Sequence, residues 1–313
     1  MKILISDKTH EICARTLEGF EGLVVVQKSG LSPEQLLGEV ADAQGLIVRS
    51  ATKVSREVIA AAQGLKVIGR AGAGVDNIDV TAASERGIVV MNTPGGNANA
   101  VAELTLGMMF ALTRSIPRAD ASMKAGRWDK KQLEGGELAG KTLGLVGVGR
   151  VGARVARKAA CLEMKVLAYD PFVADENIRR LGAEPAELDR LLAESDFLSV
   201  HAPKSPETAG MLDREAFARI KTGAFLINCA RGGIVVERDL LEALESGRLA
   251  GAAFDVYEQE PPQERGLVEH PRVIATPHIG ASTREAQIVV AEMIAAQVGR
   301  FLTTGETVNA VNR

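Results

Sequence analysis

The chain has 313 residues, of which 46% are hydrophobic and 25% charged, the proportions of a soluble globular protein with room for two domains. Its net charge of −3 gives no electrostatic case for nucleic acid or an anionic membrane as partner. Three cysteines are an odd number without metal-like spacing, which points to a reducing cytoplasm and to no metal site.

The first residues, Met1-Lys-Ile-Leu-Ile-Ser-Asp7, turn polar after three apolar positions and read as a strand rather than a signal peptide. Four more β-rich runs follow, at Leu23–Val26, Leu46–Val48, Lys66–Gly69 and Ile88–Met91. Helical spacing lies between them at Pro33–Ala41 and Ser55–Ala62, with Ser32 and Ser55 as N-caps. Continuous apolar strands separated by helices imply a parallel sheet covered on both faces. The fourth strand runs into Gly69-Arg-Ala71-Gly72-Ala73-Gly74, where backbone N–H groups can hold a carboxylate. One long helix is expected from about Asn97 to Met123. Its apolar surface is wide enough to serve either the core or a second subunit. No stretch reaches the roughly 20 apolar residues of a membrane span, since Ala98–Leu112 is broken by Asn99 and Glu103.

A second series opens at Thr142-Leu-Gly-Leu-Val-Gly147-Val-Gly149-Arg150-Val151-Gly152. A strand, the Gly147-x-Gly149-x-x-Gly152 turn, a helix to Cys161 and a second strand ending at Asp170 make a dinucleotide site. Gly147 allows the turn, Gly149 lets the backbone approach a pyrophosphate, and Gly152 brings helix and strand close. The helix N-terminus offers N–H groups to the phosphates, and Asp170 accepts ribose hydroxyls and repels a 2′-phosphate. Strands are expected at Thr142–Val146, Val166–Tyr169, Phe197–Val200, Ala224–Asn228, Gly251–Asp255 and Val273–Ala275, six in a doubly wound sheet.

Three residues near strand ends have chemistry unusual for such positions. Arg231, in Asn228-Cys-Ala-Arg-Gly-Gly233, can take a carboxylate bidentately at the edge where open α/β sheets bind ligands. Glu260 precedes Pro261, which stiffens its aim, and Pro277 likewise precedes His278. A histidine with a carboxylate partner has its cation stabilised and can carry a proton near neutrality. Of the other histidines, His10 and His270 read as surface residues and His201 ends a strand. A capping box at Ser282-Thr-Arg-Glu285 starts a last helix running to about Leu302. The tail 307–312 is expected to lie back on another element.

With these residues in view, the chain resembles the D-isomer-specific 2-hydroxyacid dehydrogenases. The matching stretches are Arg70–Asp79, Asn92-Thr-Pro-Gly-Gly-Asn97, the Gly147 turn, Asn228–Gly233, Asp255–Pro262 and Pro277–Thr283. The resemblance implies two Rossmann-like doubly wound domains, the nucleotide-binding one (96–281) inserted into the substrate-binding one (1–95 and 282–313). It implies an Arg231–Glu260–His278 catalytic set and NAD as cofactor. The implied NAD contacts are Gly147, Gly149, Arg150, Val151, Gly152, Asp170, His201, Ala202, Pro203, Cys229, Ala230, Arg231, Asp255, His278 and Gly280. The implied substrate contacts are Arg49, Ser50, Ala71, Gly72, Ala73, Gly74, Arg231 and His278.

The reaction that follows is NAD-dependent oxidation of a small D-2-hydroxy acid, with 3-phospho-D-glycerate favoured as substrate and the entry to L-serine synthesis as its place. Arg49 is the first candidate to read the phosphate, and the run Arg127-Trp-Asp-Lys130-Lys131 the second. The alternatives are a glyoxylate/hydroxypyruvate or D-lactate type of reaction and, from another class, an NADH-binding corepressor. A homodimer or higher homo-oligomer through the helix near 97–123 is expected. Many relatives have Asp or Asn where Val236 stands, a departure expected to be harmless. Longer relatives continue into regulatory domains, so a form ending at Arg313 is expected to lack feedback inhibition by L-serine.

Overall fold

A computed structural model describes residues 1–313. The first strands and helices alternate strictly: β1 (Lys2–Ile5), α1 (Ile12–Glu18), β2 (Val24–Gln27), α2 (Pro33–Val40), β3 (Gly45–Val48), α3 (Arg56–Ala61), β4 (Val67–Arg70), α4 (Val80–Glu85) and β5 (Val89–Met91). Two helices follow, α5 (Ala98–Thr113) and α6 (Ile116–Lys124). The second series is β6 (Thr142–Val146), α7 (Gly152–Cys161), β7 (Lys165–Tyr169), α8 (Asp175–Arg180), β8 (Glu184–Pro185), α9 (Leu188–Glu194), β9 (Phe197–Val200), α10 (Arg214–Arg219), β10 (Ala224–Asn228), α11 (Glu237–Glu245), β11 (Leu249–Phe254), α12 (Gly266–Glu269) and β12 (Val273–Ala275). Helix α13 (Arg284–Thr304) closes the chain. Two compact units result, Met1–Asn97 with Ala281–Arg313, and Ala98–Gly280.

In the first unit five parallel strands run in the order β2-β1-β3-β4-β5. Because successive side chains alternate faces, Leu4, Leu46, Val48 and Ile68 pack under α2–α4 while Ile3, Ile5, Ile47 and Val67 pack under α1 and α13. Both faces are thus dry, which is why these strands are apolar throughout. The tail returns to this sheet as expected: Val311 N–H donates to the Val90 carbonyl at 2.8 Å, and Ala310 bridges Met91 antiparallel.

The second unit has seven parallel strands in the order β12-β11-β10-β9-β6-β7-β8. The chain therefore leaves β6 toward both sides, which opens a crevice at the carboxyl end of β6. Val146, Leu198, Val200, Leu226 and Phe254 fill one face, and Leu143, Leu145, Phe197, Ile227 and Ala253 the other.

Three expectations need correction. The single helix over 97–123 is two, because Ser115 adopts φ +50° and Pro117 follows at the start of α6; proline is tolerated there and would break a helix interior. The six expected strands are seven. The extra strand, β8, is a two-residue polar edge pairing Glu184 with Leu167 and Pro185 with Ala168, too short to show periodicity. Finally, α13 is capped by Thr283, whose side chain accepts from Ala286 N–H at 3.1 Å, one residue later than the Ser282 box.

Candidate active site

The glycine turn follows β6 directly. Gly147 has φ +93°, and a Cβ there would come within 2.8 Å of the Ala202 nitrogen, so only glycine fits. A Cβ on Gly152 would lie 2.2 Å from the Gly147 carbonyl, which explains how α7 starts so close beneath the turn. Gly149 differs, because a Cβ there would meet nothing within 4 Å. Open space thus lies beside Gly149, just before the N-terminus of α7, where a phosphate can approach the backbone. Asp170, after β7, accepts from Val148 N–H at 2.9 Å and Phe172 N–H at 3.0 Å. Its carboxylate is fixed beside the turn with lone pairs to spare. This open cradle with its anchored acid fits a dinucleotide, pyrophosphate on the turn and ribose at Asp170.

The segment His201–Pro203 leaves β9 on the neighbouring side, tied by His201 N–H to the Val146 carbonyl at 2.7 Å. His201 Nε2 pairs with Ser199 Oγ at 2.9 Å, while Nδ1 is buried without a partner. Burial pushes its pKa down to about 4, so this imidazole is neutral at pH 7 and no proton carrier. Cys229 is buried with Sγ 3.4 Å from Met108 Sδ. Burial, reinforced by the charge of Asp255, pushes the Cys229 thiol up to about 12; its side chain belongs to the core.

Arg231, Glu260 and His278 all lie in the second unit, at the carboxyl ends of β10, β11 and β12. Buried Asn228 shapes the first turn: its Oδ1 accepts from Ala230 N–H and its Nδ2 donates to the Arg231 carbonyl, both at 3.0 Å. Gly232 lets this turn press on the β11 loop, since a Cβ there would lie 1.7 Å from the Tyr257 carbonyl. Glu260 Oε1 accepts from Tyr257 N–H at 3.2 Å, and Oε2 meets His278 Nδ1 at 2.6 Å. Burial pushes the Glu260 carboxyl up, but the His278 hydrogen bond and charge, the Tyr257 N–H and the Arg231 charge outweigh it and leave it lowered. The same hydrogen bond, opposed by burial and aided by the charges of Glu260 and Asp255, raises His278 against the repulsion of Arg231.

His278 is held in an uncommon backbone conformation, φ +52°, and Asp255 enforces it. This residue is 1% exposed. Its Oδ1 accepts from Ile279 N–H at 2.7 Å and Thr276 Oγ1 at 2.6 Å, and its Oδ2 from Gly280 N–H at 2.7 Å. Asp255 was expected at the cofactor; both oxygens are already engaged in holding the loop that carries His278. Sequence reasoning missed this role, and with it Asn228, Tyr257 and Thr276, because loop-holding polar residues have no periodicity or motif of their own. At Val236 the missing cap is replaced: Glu237 N–H donates to Glu258 Oε1 at 3.1 Å, and Glu258 N–H to Glu237 Oε1 at 2.6 Å.

Of the expected substrate residues, Arg231 and His278 lie in the second unit, and Arg49, Ser50 and Ala71–Gly74 in the first. Arg49 and Ser50 follow β3. The Ala71–Gly74 loop follows β4, pinned by Ala71 N–H to the Val48 carbonyl at 2.8 Å and by Thr93 N–H to the Gly72 carbonyl at 3.0 Å. No group of three or more His, Cys, Asp or Glu side chains is arranged to hold a metal ion.

A family model described as D-isomer specific 2-hydroxyacid dehydrogenase, NAD binding domain, matches residues 106–280. The structure of an NAD⁺-bound 3-phosphoglycerate dehydrogenase from Entamoeba histolytica superposes with a TM-score of 0.85 at 34% identity, covering 100% of this chain and 99% of that one. The chain belongs to the D-isomer-specific 2-hydroxyacid dehydrogenases. A glyoxylate reductase from Paecilomyes thermophila has the same fold, with a TM-score of 0.89 at 30% identity over 99% of this chain and 98% of its own. Among sequences, the D-3-phosphoglycerate dehydrogenase of Rattus norvegicus is 51% identical over 95% of this chain. That of Archaeoglobus fulgidus is 47% identical over 100% of it. The chain spans 55% and 59% of these two relatives' lengths. The matched NAD-binding segment contains the glycine turn, Asp170 and all three of Arg231, Glu260 and His278.

Proposed function

We propose that this chain catalyses the NAD-dependent oxidation of 3-phospho-D-glycerate to 3-phosphohydroxypyruvate, the first step of L-serine synthesis. The observation that carries the reading is the 2.6 Å pair of His278 Nδ1 and Glu260 Oε2, with Arg231 acting on both charges. Because Nδ1 is engaged by Glu260, Nε2 is the nitrogen that meets substrate and takes the C2 hydroxyl proton. Glu260 stabilises the imidazolium that results. Arg231 holds the substrate carboxylate and polarises the C2 oxygen. NAD⁺, when bound, accepts the hydride leaving C2.

On this reading residues 96–281 form the NAD-binding domain, and residues 1–95 with 282–313 the substrate-binding one. Arg49 reads the phosphate. The run Arg127–Lys131 is the weaker candidate, since Arg127 is already paired with Asp129 at 3.1 Å. A homodimer or higher homo-oligomer would form through α5 and α6, a reading supported by the exposed Phe110, Ile116 and Met123. A cytoplasmic setting agrees with three free cysteines.

The test is a panel of 2-hydroxy and 2-keto acids followed by NADH fluorescence in both directions. Phosphoglycerate should exceed D-glycerate in kcat/KM by at least about 100-fold, the worth of a few kcal/mol of charge-assisted hydrogen bonding. Arg49→Ala should erase most of that gap. Equal use of both by wild type would refute the substrate and favour the hydroxypyruvate-reductase alternative.

A further inference from the structure

The turn Arg49–Thr52 is held by two side chains of opposite hydrogen-bonding character. Asp7, just after β1 and 6% exposed, accepts through Oδ2 from the N–H groups of Arg49 at 2.5 Å and Thr52 at 3.2 Å. Its Oδ1 accepts from the Thr52 hydroxyl at 2.6 Å. Asn77, in the loop between β4 and α4, donates from Nδ2 to the carbonyls of Arg49 at 2.8 Å and Thr52 at 2.7 Å. An ionised carboxylate only accepts, and an amide nitrogen only donates, so each side chain takes the polar groups the other cannot. The backbone continues the clamp: Val54 N–H donates to the Asn77 carbonyl at 2.8 Å and Asp79 N–H to the Val54 carbonyl at 2.9 Å. The Arg49 guanidinium itself donates to the Lys8 carbonyl at 2.8 Å.

Apolar packing does not fix this turn. Ala51, Thr52 and Lys53 border a cavity of about 340 Å³ that also touches Leu31, Leu36 and Val58. With space on that side, the turn's position depends on its hydrogen bonds. We infer that Asn77, together with Asp7, is a positioning residue that fixes where Arg49 presents its guanidinium, and thereby sets selectivity for the phosphorylated substrate. The inference rests on Arg49 as the phosphate contact.

The experiment compares wild type with Asn77→Ala and Asn77→Ser, the second keeping one hydroxyl donor. Two quantities are read in the full chain: kcat/KM for 3-phospho-D-glycerate and for D-glycerate, and hydrogen exchange across residues 46–54. A displacement of about 1 Å at a recognition group can cost up to roughly 100-fold, so Asn77→Ala should raise KM for the phosphorylated substrate at least about tenfold at nearly unchanged kcat. D-glycerate kinetics should stay within about twofold, Asn77→Ser should fall between, and the Arg49 and Thr52 amides should exchange faster. Unchanged discrimination in Asn77→Ala, or equal loss on both substrates, would overturn the inference. If wild type itself ignores the phosphate, the substrate reading has failed, and exchange then decides the clamp: acceleration confined to 49–52 supports it and unchanged exchange overturns it. Should Asn77→Ala fail to fold, Thr52→Val removes the hydroxyl's bonds to Asp7 Oδ1 and Ser6 Oγ while keeping the backbone bonds of the turn, and must shift KM in the same direction.

Discussion

Asp255→Asn is nearly isosteric and probes how His278 is held. The wild-type carboxylate accepts three hydrogen bonds, two at Oδ1 and one at Oδ2. An amide can accept through one atom only. If its nitrogen replaced Oδ1, it would face Ile279 N–H and disturb two bonds. Placed at the Oδ2 position it faces Gly280 N–H alone, so that orientation should prevail. The lost bond to a charged acceptor costs about 1.5–3 kcal/mol, and the other two, now to a neutral oxygen, weaken by roughly half, about 1.5–3 kcal/mol together. A total of about 3–6 kcal/mol lowers the melting temperature of a unit this size by roughly 6–24 °C. The segment freed is Thr276–Gly280, so kcat should also fall about tenfold or more. Thermal unfolding and NADH-coupled initial rates measure both. A melting temperature within about 2 °C of wild type, with kcat at least half retained, would show that Asp255 does not hold the histidine loop.

In the oxidative direction His278 must begin neutral, and Glu260 raises its pKa above the usual 6.5. Activity should therefore rise with pH through that elevated value, and Glu260→Gln should move the rise to lower pH; an unmoved profile would mean that Glu260 only packs. Asp170→Ala should narrow the preference for NAD over NADP mainly by weakening NAD binding, read as the two KM values. Wild type using both cofactors equally well would show that Asp170 does not meet the ribose.

Local signals carried most of the architecture. The apolar strands and the Gly147 turn were legible because each is one continuous stretch whose pattern follows from burial on both faces or from one backbone constraint. The candidate catalytic residues were singled out by type and by position at strand ends. Their mutual geometry was not legible, since Arg231, Glu260 and His278 meet only when β10, β11 and β12 are set side by side. The break at Ser115 was masked by apolar spacing that runs through it; a positive φ at serine leaves no sequence mark, and Pro117 was the one local signal of a new helix start. Strand β8 is made by pairing with β7 rather than by its own residues. The roles of Asp7, Asn77 and Asn228 were illegible for a related reason: each acts on backbone groups, and any sequence can supply those.

The central claim is that His278, oriented by Glu260, is the acid–base group in oxidation of 3-phospho-D-glycerate. Its most direct test is the single-turnover rate of NADH formation from that substrate in wild type and in His278→Ala. The account predicts a measurable wild-type rate, a loss of roughly 10²–10⁴-fold in the variant and NADH affinity nearly unchanged. A variant that keeps more than about a third of the wild-type chemical rate, against that 10²–10⁴-fold expectation, would contradict it.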